Sequence, residues 1–265
     1  MNIDHLSPSK SSSPGRRLWL RVLSLGLGLA CWQITSEISG LATFILPQPI
    51  AVWNRFVEAI TNGALLTDIG ITLSEVLLGL VMGVTLATIL GYSVAKSSAL
   101  ERVLAPYLVA SQAIPIVAIA PLLVLWFGYG IFSKILICAL IVFFPVLINT
   151  IVGIRAVPNA FYDLMNSLHS TKSQILLKVE IPAALPIFLG GLRIGATLSV
   201  IGAVVGELVG ANYGLGNLIT RGRMSYDMPL VYVGVIMLVA MALALYALVS
   251  LLEKKFLKWQ ENFEK

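Results

Sequence analysis

Charge is scarce in this chain, so the ionisable residues inside its apolar runs are the first candidates for chemistry. Glu75, Arg193 and Glu207 stand in such runs. A charge held among apolar side chains is costly and marks a functional site by default. On that ground Arg193 and Glu207 are candidate functional residues. Trp126 joins them, because a flat ring there, with Tyr129 and Tyr213, could line a path for a planar solute. A plainer reading keeps Glu75 and Glu207 close enough to an end of their runs to be solvated. It lets Arg193, about 11 residues past Pro182, reach a polar boundary with its long side chain, and makes the aromatics an interfacial belt.

Catalytic constellations are missing. No GxxxxGK[ST] cradle for nucleotide phosphates and no GxSxG nucleophile elbow occurs. The glycines of GANYGLGN (Gly210–Asn217) neither follow a strand nor open a clear helix. The 2 histidines are too far apart for a local metal site. Cys31 and Cys138 lie in separate apolar runs, without metal spacing or a disulfide framework, and read as buried, inert thiols. We therefore expect no enzyme, no catalytic residue, no metal and no cofactor.

The densest group of polar side chains is the stretch YDLMNSLHSTKSQILLKVEIPAALP, Tyr162–Pro186, with Asp163, His169, Lys172, Lys178 and Glu180. Read as a helix, residues 160–168 put Phe161, Leu164, Met165 and Leu168 on one face. A turn is expected at His169-Ser170-Thr171. A second helical segment over 174–179 should end before Pro182 and lead into the next apolar run. A helix–turn–helix with an exposed apolar face must bury it on the membrane, on its own subunit, or in the groove of a soluble partner.

The elements that would carry this loop span a membrane. Of the 265 residues, 58% are hydrophobic and 12% charged, with a mean hydropathy of +0.91, and a soluble domain carries about twice that charged share. A crossing helix needs about 20 apolar residues. Six segments qualify, at about 18–38, 71–95, 105–127, 133–156, 184–210 and 229–252, so the expected fold is all-α and polytopic with about six transmembrane helices. The third should be kinked or broken at Pro106, Pro115 and Pro121, and Pro145 falls in the fourth. Residues 46–63 read as an interfacial helix from the spacing of Val52, Phe56 and Ile60.

Residues 1–17 are expected to be a disordered tail, 18–258 the membrane domain and 259–265 a polar end. The first apolar run resembles a secretory signal, yet it stays apolar beyond Cys31 and is read as a retained first span. Most of the 18 Lys and Arg fall on the side of both termini and of the polar loop, which the positive-inside rule assigns to the cytoplasm. The net charge of +5 is explained that way and implies no nucleic acid. Gly79, Gly83, Ala87 and Gly91, then Gly191, Gly195, Ser199, Gly202, Gly206 and Gly210, form small-residue stripes. They suit close helix packing within one subunit, or a dimer face or pore lining.

The polar loop resembles the permeases of ATP-binding cassette importers, which carry EAA-x3-G-x9-I-x-LP there. Asp163-Leu164-Met165 stands at EAA and His169 at the glycine. After nine residues come Val179, Glu180, Ile181 and Pro182. Leu-Met for Ala-Ala is bulky. His for Gly implies either a turn with no need of a left-handed angle or a left-handed His. LPQPIAVW, the proline-broken AIPIVAIAPLLVLWFGYG and LPIFLGGLRIGATLSVIGAVVGELVGANYGLG also look like segments of these permeases. The resemblance covers about 45–255 and lies nearest the sulfonate, taurine, nitrate and bicarbonate group, which includes thiamine-precursor and riboflavin permeases. VIGAVVGELVGANYGLG is closer to those for vitamin-like heterocycles.

The resemblance implies a cytoplasmic coupling loop at about 159–182 that fits a groove on a separate ATPase subunit. Asp163, Leu164, Met165, Leu168 and His169 would meet the ATPase, while Val179, Ile181 and Pro182 return the chain to the membrane. It further implies a second permease copy or paralogue, a periplasmic or lipid-anchored solute-binding protein, a bacterial inner membrane and alternating access by rigid-body motion. The rival class is a stand-alone secondary transporter, which usually needs ionisable groups deep in its spans.

Overall fold

The computed structural model describes residues 14–38 and 45–258. Among them every regular element is a helix. The first is α1 (Pro14–Ile38), which begins inside the segment expected to be a tail; the rest of that segment and residues 259–265 lie outside the described residues.

Four helices are long and apolar enough to cross a membrane: Ala64–Lys96, Ile131–Arg155, Lys172–Gly210 and Met228–Phe256. A fifth crossing arises if the broken pair Ser98–Ala113 and Ile116–Phe127 counts as one span. These are α3 (Ala64–Lys96), α4 (Ser98–Ala113), α5 (Ile116–Phe127), α6 (Ile131–Arg155) and α11 (Met228–Phe256), with Lys172–Gly210 assembled from α8 (Lys172–Ile175), a π-helical turn (Leu176–Glu180) and α9 (Ile181–Gly210). The segment expected as the first span falls in α1, which is not among the four.

The expected break in the third span is real, and its cause is local. Pro115 excludes the helical conformation from the residue before it. Ile114 accordingly adopts φ −83° and ψ 119°, and α4 and α5 diverge by 96°. Pro106 and Pro121 stay inside their helices.

The core is α6 held between α3 and α9. Gly79, Gly83, Ala87 and Gly91 are buried on the α3 face that meets α6, and Gly191, Gly195, Ser199, Gly202 and Gly206 on the α9 face that does. A methyl group on Gly83 would stand 2.7 Å from the Ala139 carbonyl oxygen, and one on Gly202 2.7 Å from Cys138 Cα. The small-residue stripes thus serve packing within this chain, where backbones approach closely. Cys138 is buried at this crossing, while Cys31 is exposed, contrary to expectation.

The interfacial helix read from residues 46–63 is α2 (Pro49–Thr61). Val52 is buried, and Phe56 and Ile60 pack against the same core as α11. Arg55 donates to Asp227 Oδ2 at 2.7 Å, and Asp227 Oδ1 caps α11 by accepting from the Leu230 amide at 3.1 Å. Trp32 ties α1 to this layer: its indole N–H donates to the Pro47 carbonyl at 3.1 Å, and its ring stacks on Tyr232 at 5.5 Å.

Candidate docking loop and buried polar cluster

The loop between α6 and the long span opens with α7 (Asn159–Ser167). Met165 is buried, whereas Phe161, Leu164 and Leu168 are exposed. The apolar residues therefore do not all share one fate: Met165 anchors the helix and the other three form an outward ridge. Asp163 lies exposed beside that ridge.

The end of α7 explains what stands at the family's glycine position. His169 has φ +51°, a left-handed conformation. The His169 amide donates to the Asn166 carbonyl at 2.9 Å and the Ser170 amide to the Met165 carbonyl at 3.0 Å. This pair of bonds is the Schellman closure, whose left-handed residue is usually Gly. Here His accepts the strain.

Thr171 then starts the next helix. Its hydroxyl accepts from the Gln174 amide at 3.3 Å, and the Gln174 side chain accepts from the Thr171 amide at 2.8 Å, a reciprocal capping box.

The expected stop before Pro182 is not found. The chain stays helical from Lys172 to Gly210, with the π turn at Leu176–Glu180 just ahead of the proline. A proline ring clashes with the carbonyl four residues back, here that of Lys178, and removes a donor. The wider turn, in which the Ile181 amide bonds the Leu176 carbonyl, shifts that carbonyl and absorbs Pro182 within a continuous helix. Val179 and Pro182 are half-buried at this junction, and Ile181 is exposed.

Glu180 fixes the junction to α3. It is buried, pairs with Lys96 and accepts from the Tyr92 hydroxyl at 3.0 Å. Lys96 lies over the Tyr162 ring of α7 at 4.9 Å. Burial and then the Glu180 carboxylate push the Tyr162 phenol above its ordinary pKa, with Lys96 opposing them. On the other flank, Arg155 at the end of α6 makes a two-pronged bond to Glu101 of α4, both contacts at 2.7 Å.

The opposite end of the spans holds a buried polar cluster. Asp68, Thr72 and Glu75 lie on the α3 stripe that continues into Gly79 and Gly83, and all three are buried. Glu207 of α9 accepts from the Thr72 hydroxyl at 2.6 Å and from the Gly216 amide. Asp68 accepts from the Gly214 amide at 2.8 Å and from Arg221 at 2.5 Å, and the Leu215 amide donates to Thr72 at 2.8 Å. Glu75 faces Lys134 of α6 at 3.4 Å. This network clamps the turn after α9 and the helix α10 (Leu215–Met224) onto α3.

The solvation expected for Glu75 and Glu207 is thus replaced by burial, at 0% and 1% exposure. Arg193 is not in this cluster. It pairs with Glu253 near the end of α11 at 3.1 Å and lies over the Tyr246 ring at 5.4 Å. Trp126, near the end of α5, is 68% exposed. The sequence reading missed Asp68, Thr72, Lys134 and the Lys96–Glu180 pair; for the first two the signal existed, since positions 68, 72, 75 and 79 share one helical face.

Known proteins resemble this chain in sequence and in fold. The chain is 44% identical over 240 residues to "Riboflavin transport system permease protein RibX" of Chloroflexus aurantiacus, covering 91% of this chain and 90% of that one. It is 35% identical to "Formylaminopyrimidine transport permease protein ThiX" of Halalkalibacterium halodurans, over 88% and 93% of the two chains. "Putative aliphatic sulfonates transport permease protein SsuC" of Bacillus subtilis is 34% identical over 95% and 92%. In fold it resembles a chain of the inward-facing MetNI methionine ABC transporter, with a TM-score of 0.64 and 18% identity over 73% of this chain and 96% of that one. Residues 79–258 match the family described as "Binding-protein-dependent transport system inner membrane component". With most of its length inside that family, this chain belongs to it and is a membrane permease subunit of an ATP-binding cassette importer.

Proposed function

We propose that this permease imports a vitamin-like heterocycle, riboflavin or a thiamine-pyrimidine precursor, driven by a separate ATPase that docks on the α7 loop. The observation that carries the docking is the outward ridge of Phe161, Leu164 and Leu168, which is exposed while Met165 and Glu180 tie the same loop inward. A short amphipathic helix with one face anchored and the other uncovered suits the groove of a soluble partner. Asp163 and His169 flank the ridge and would join that contact, with Val179, Ile181 and Pro182 passing its movement into α9.

The heterocycle is supported by the riboflavin and formylaminopyrimidine permeases among the similar chains. A second reading, uptake of a sulfonate, taurine, nitrate or bicarbonate, is supported by the sulfonate permease at 34% identity. On our reading the chain has six spans, counting α1 and the broken pair as one each, and both termini and the docking loop are cytoplasmic. It works as a homodimer or with a paralogue, and receives its solute from a periplasmic or lipid-anchored binding protein. Trp126 would border the solute path, and Glu207 and Arg193 would act on it through the helices they fasten.

Radiolabelled uptake by cells carrying the complete transporter tests the solute. Riboflavin or aminopyrimidine accumulation that disappears on deletion of this chain is expected. Accumulation of taurine or an alkanesulfonate alone would favour the second reading.

A further inference from the structure

Two cavities adjoin at the loop end of the spans, and they differ in character. One, of about 470 Å³, runs between α3, α6 and α9 and is mostly apolar, with Ile89, Ile154, Leu185 and Phe188 in its wall beside the hydroxyl side chains of Tyr92 and Ser93. The other, of about 400 Å³, is lined by Tyr92, Lys96, Tyr162, Lys172, Ile175 and Glu180. Tyr92 borders both.

From the adjoining cavities we infer a binding site for one anionic phospholipid, with its phosphate beside Lys172 and Lys96 and an acyl chain in the apolar groove. Charge decides the headgroup. Glu180 already neutralises Lys96, but the Lys172 ammonium has no ionic or hydrogen-bond partner among the described residues. The polar cavity therefore carries one uncompensated positive charge, with the Tyr162 phenol at its wall as a donor. Basic pockets at the ends of membrane helices take lipid headgroups by this chemistry.

Depth agrees with it. Asp68 and Lys96 are 28 residues apart on one helix, about 42 Å at 1.5 Å per residue, against about 40–45 Å for a bilayer with its polar regions. Lys96 then lies at headgroup level when the buried polar cluster is at the other surface. From Leu176 to Phe188 the groove wall rises about 18 Å along its helix, against about 15 Å for one leaflet's hydrocarbon. The lipid would bridge α3 to the π turn and α7, and so stiffen the route by which the docking loop moves. The site lies beside the loop proposed to meet the ATPase, but lipid binding is read without solute or ATPase, so its failure would leave the proposed function standing.

The test is native mass spectrometry of the full-length chain in detergent, delipidated and then titrated with phosphatidylglycerol or phosphatidylcholine. One phosphatidylglycerol per chain is expected, bound at least about fivefold more tightly than phosphatidylcholine. Lys172→Glu, an exposed change, should remove that preference. Ser93→Phe, which fills the groove and leaves both lysines, should remove binding of both lipids. Equal affinity for the two lipids in the wild type would overturn the headgroup assignment. Unchanged phosphatidylglycerol binding in both variants would overturn the site. A dimer that excludes lipid at every concentration would also overturn it and give the groove to the second copy.

Discussion

Glu180 and Lys96 are 84 residues apart and form an ion pair in which the carboxylate is buried and the ammonium reaches it from the end of α3. Through it the α7 loop is fastened to α3 at the point where the chain enters the long helix Lys172–Gly210. Tyr92 and Tyr162 complete the fastening from either side.

Lys96→Met should loosen this joint. The buried carboxylate would keep only the Tyr92 hydroxyl, and losing a hydrogen bond to a charged group costs about 1.5–3 kcal/mol. Hydrogen exchange of the α7 amides should quicken about tenfold or more, since 1.4 kcal/mol is a factor of ten. Lys96→Glu combined with Glu180→Lys should recover part of the protection. Unchanged exchange in Lys96→Met would mean that Met165 alone anchors the loop.

His169→Gly tests the left-handed closure of α7. A non-glycine residue in that conformation costs about 1–2 kcal/mol, partly offset by glycine's larger loss of chain entropy, about 0.5–1 kcal/mol. The variant should stabilise the turn by up to about 1.5 kcal/mol, read as slower exchange of the His169-position and Ser170 amides. Faster exchange would show that the imidazole contributes more than its backbone angle costs.

Two adjacent glycines should respond in opposite directions. A methyl group at Gly190 meets nothing within 4 Å, whereas one at Gly191 runs into the Asn149 side chain. Gly190→Ala should stabilise by about 0.4–1 kcal/mol, and Gly191→Ala should destabilise by about 1–3 kcal/mol through overpacking. Thermal unfolding in detergent, followed by tryptophan fluorescence, separates them. Equal shifts would mean that α9 does not meet α6 in the register described.

Much of the fold was legible because its causes are local. Apolar length marked α3, α6 and α11, Pro115 marked the break between α4 and α5, and the spacing of Val52, Phe56 and Ile60 marked α2. The helix at 160–168 and the turn at His169 were legible for the same reason, whereas the capping box of Thr171 and Gln174 was not read from the sequence. What escaped depends on packing between distant segments. Glu75 and Glu207 looked solvated because linear distance from a span's end does not reveal that Lys134 of α6 meets the first and that α10 folds back over the second. Glu180 looked like a loop charge because nothing in its neighbourhood names Lys96. Pro182 looked like a stop because a π turn, which changes the bonding of five residues, leaves no mark in hydrophobic spacing.

If the exposed ridge of α7 receives a separate ATPase, the two proteins should leave the membrane together. Gentle purification of the tagged chain from its native membrane, with co-purifying proteins identified, tests it most directly. Leu164→Arg and Asp163→Arg change exposed side chains, and surface changes of this kind alter stability by about 0.5 kcal/mol or less. A nucleotide-binding ATPase should accompany the wild type and be lost from both variants at equal expression and unchanged thermal unfolding. Stable isolation of the wild type without an ATPase, in several detergents and with nucleotide added, would contradict it, as would full retention of the ATPase by both variants.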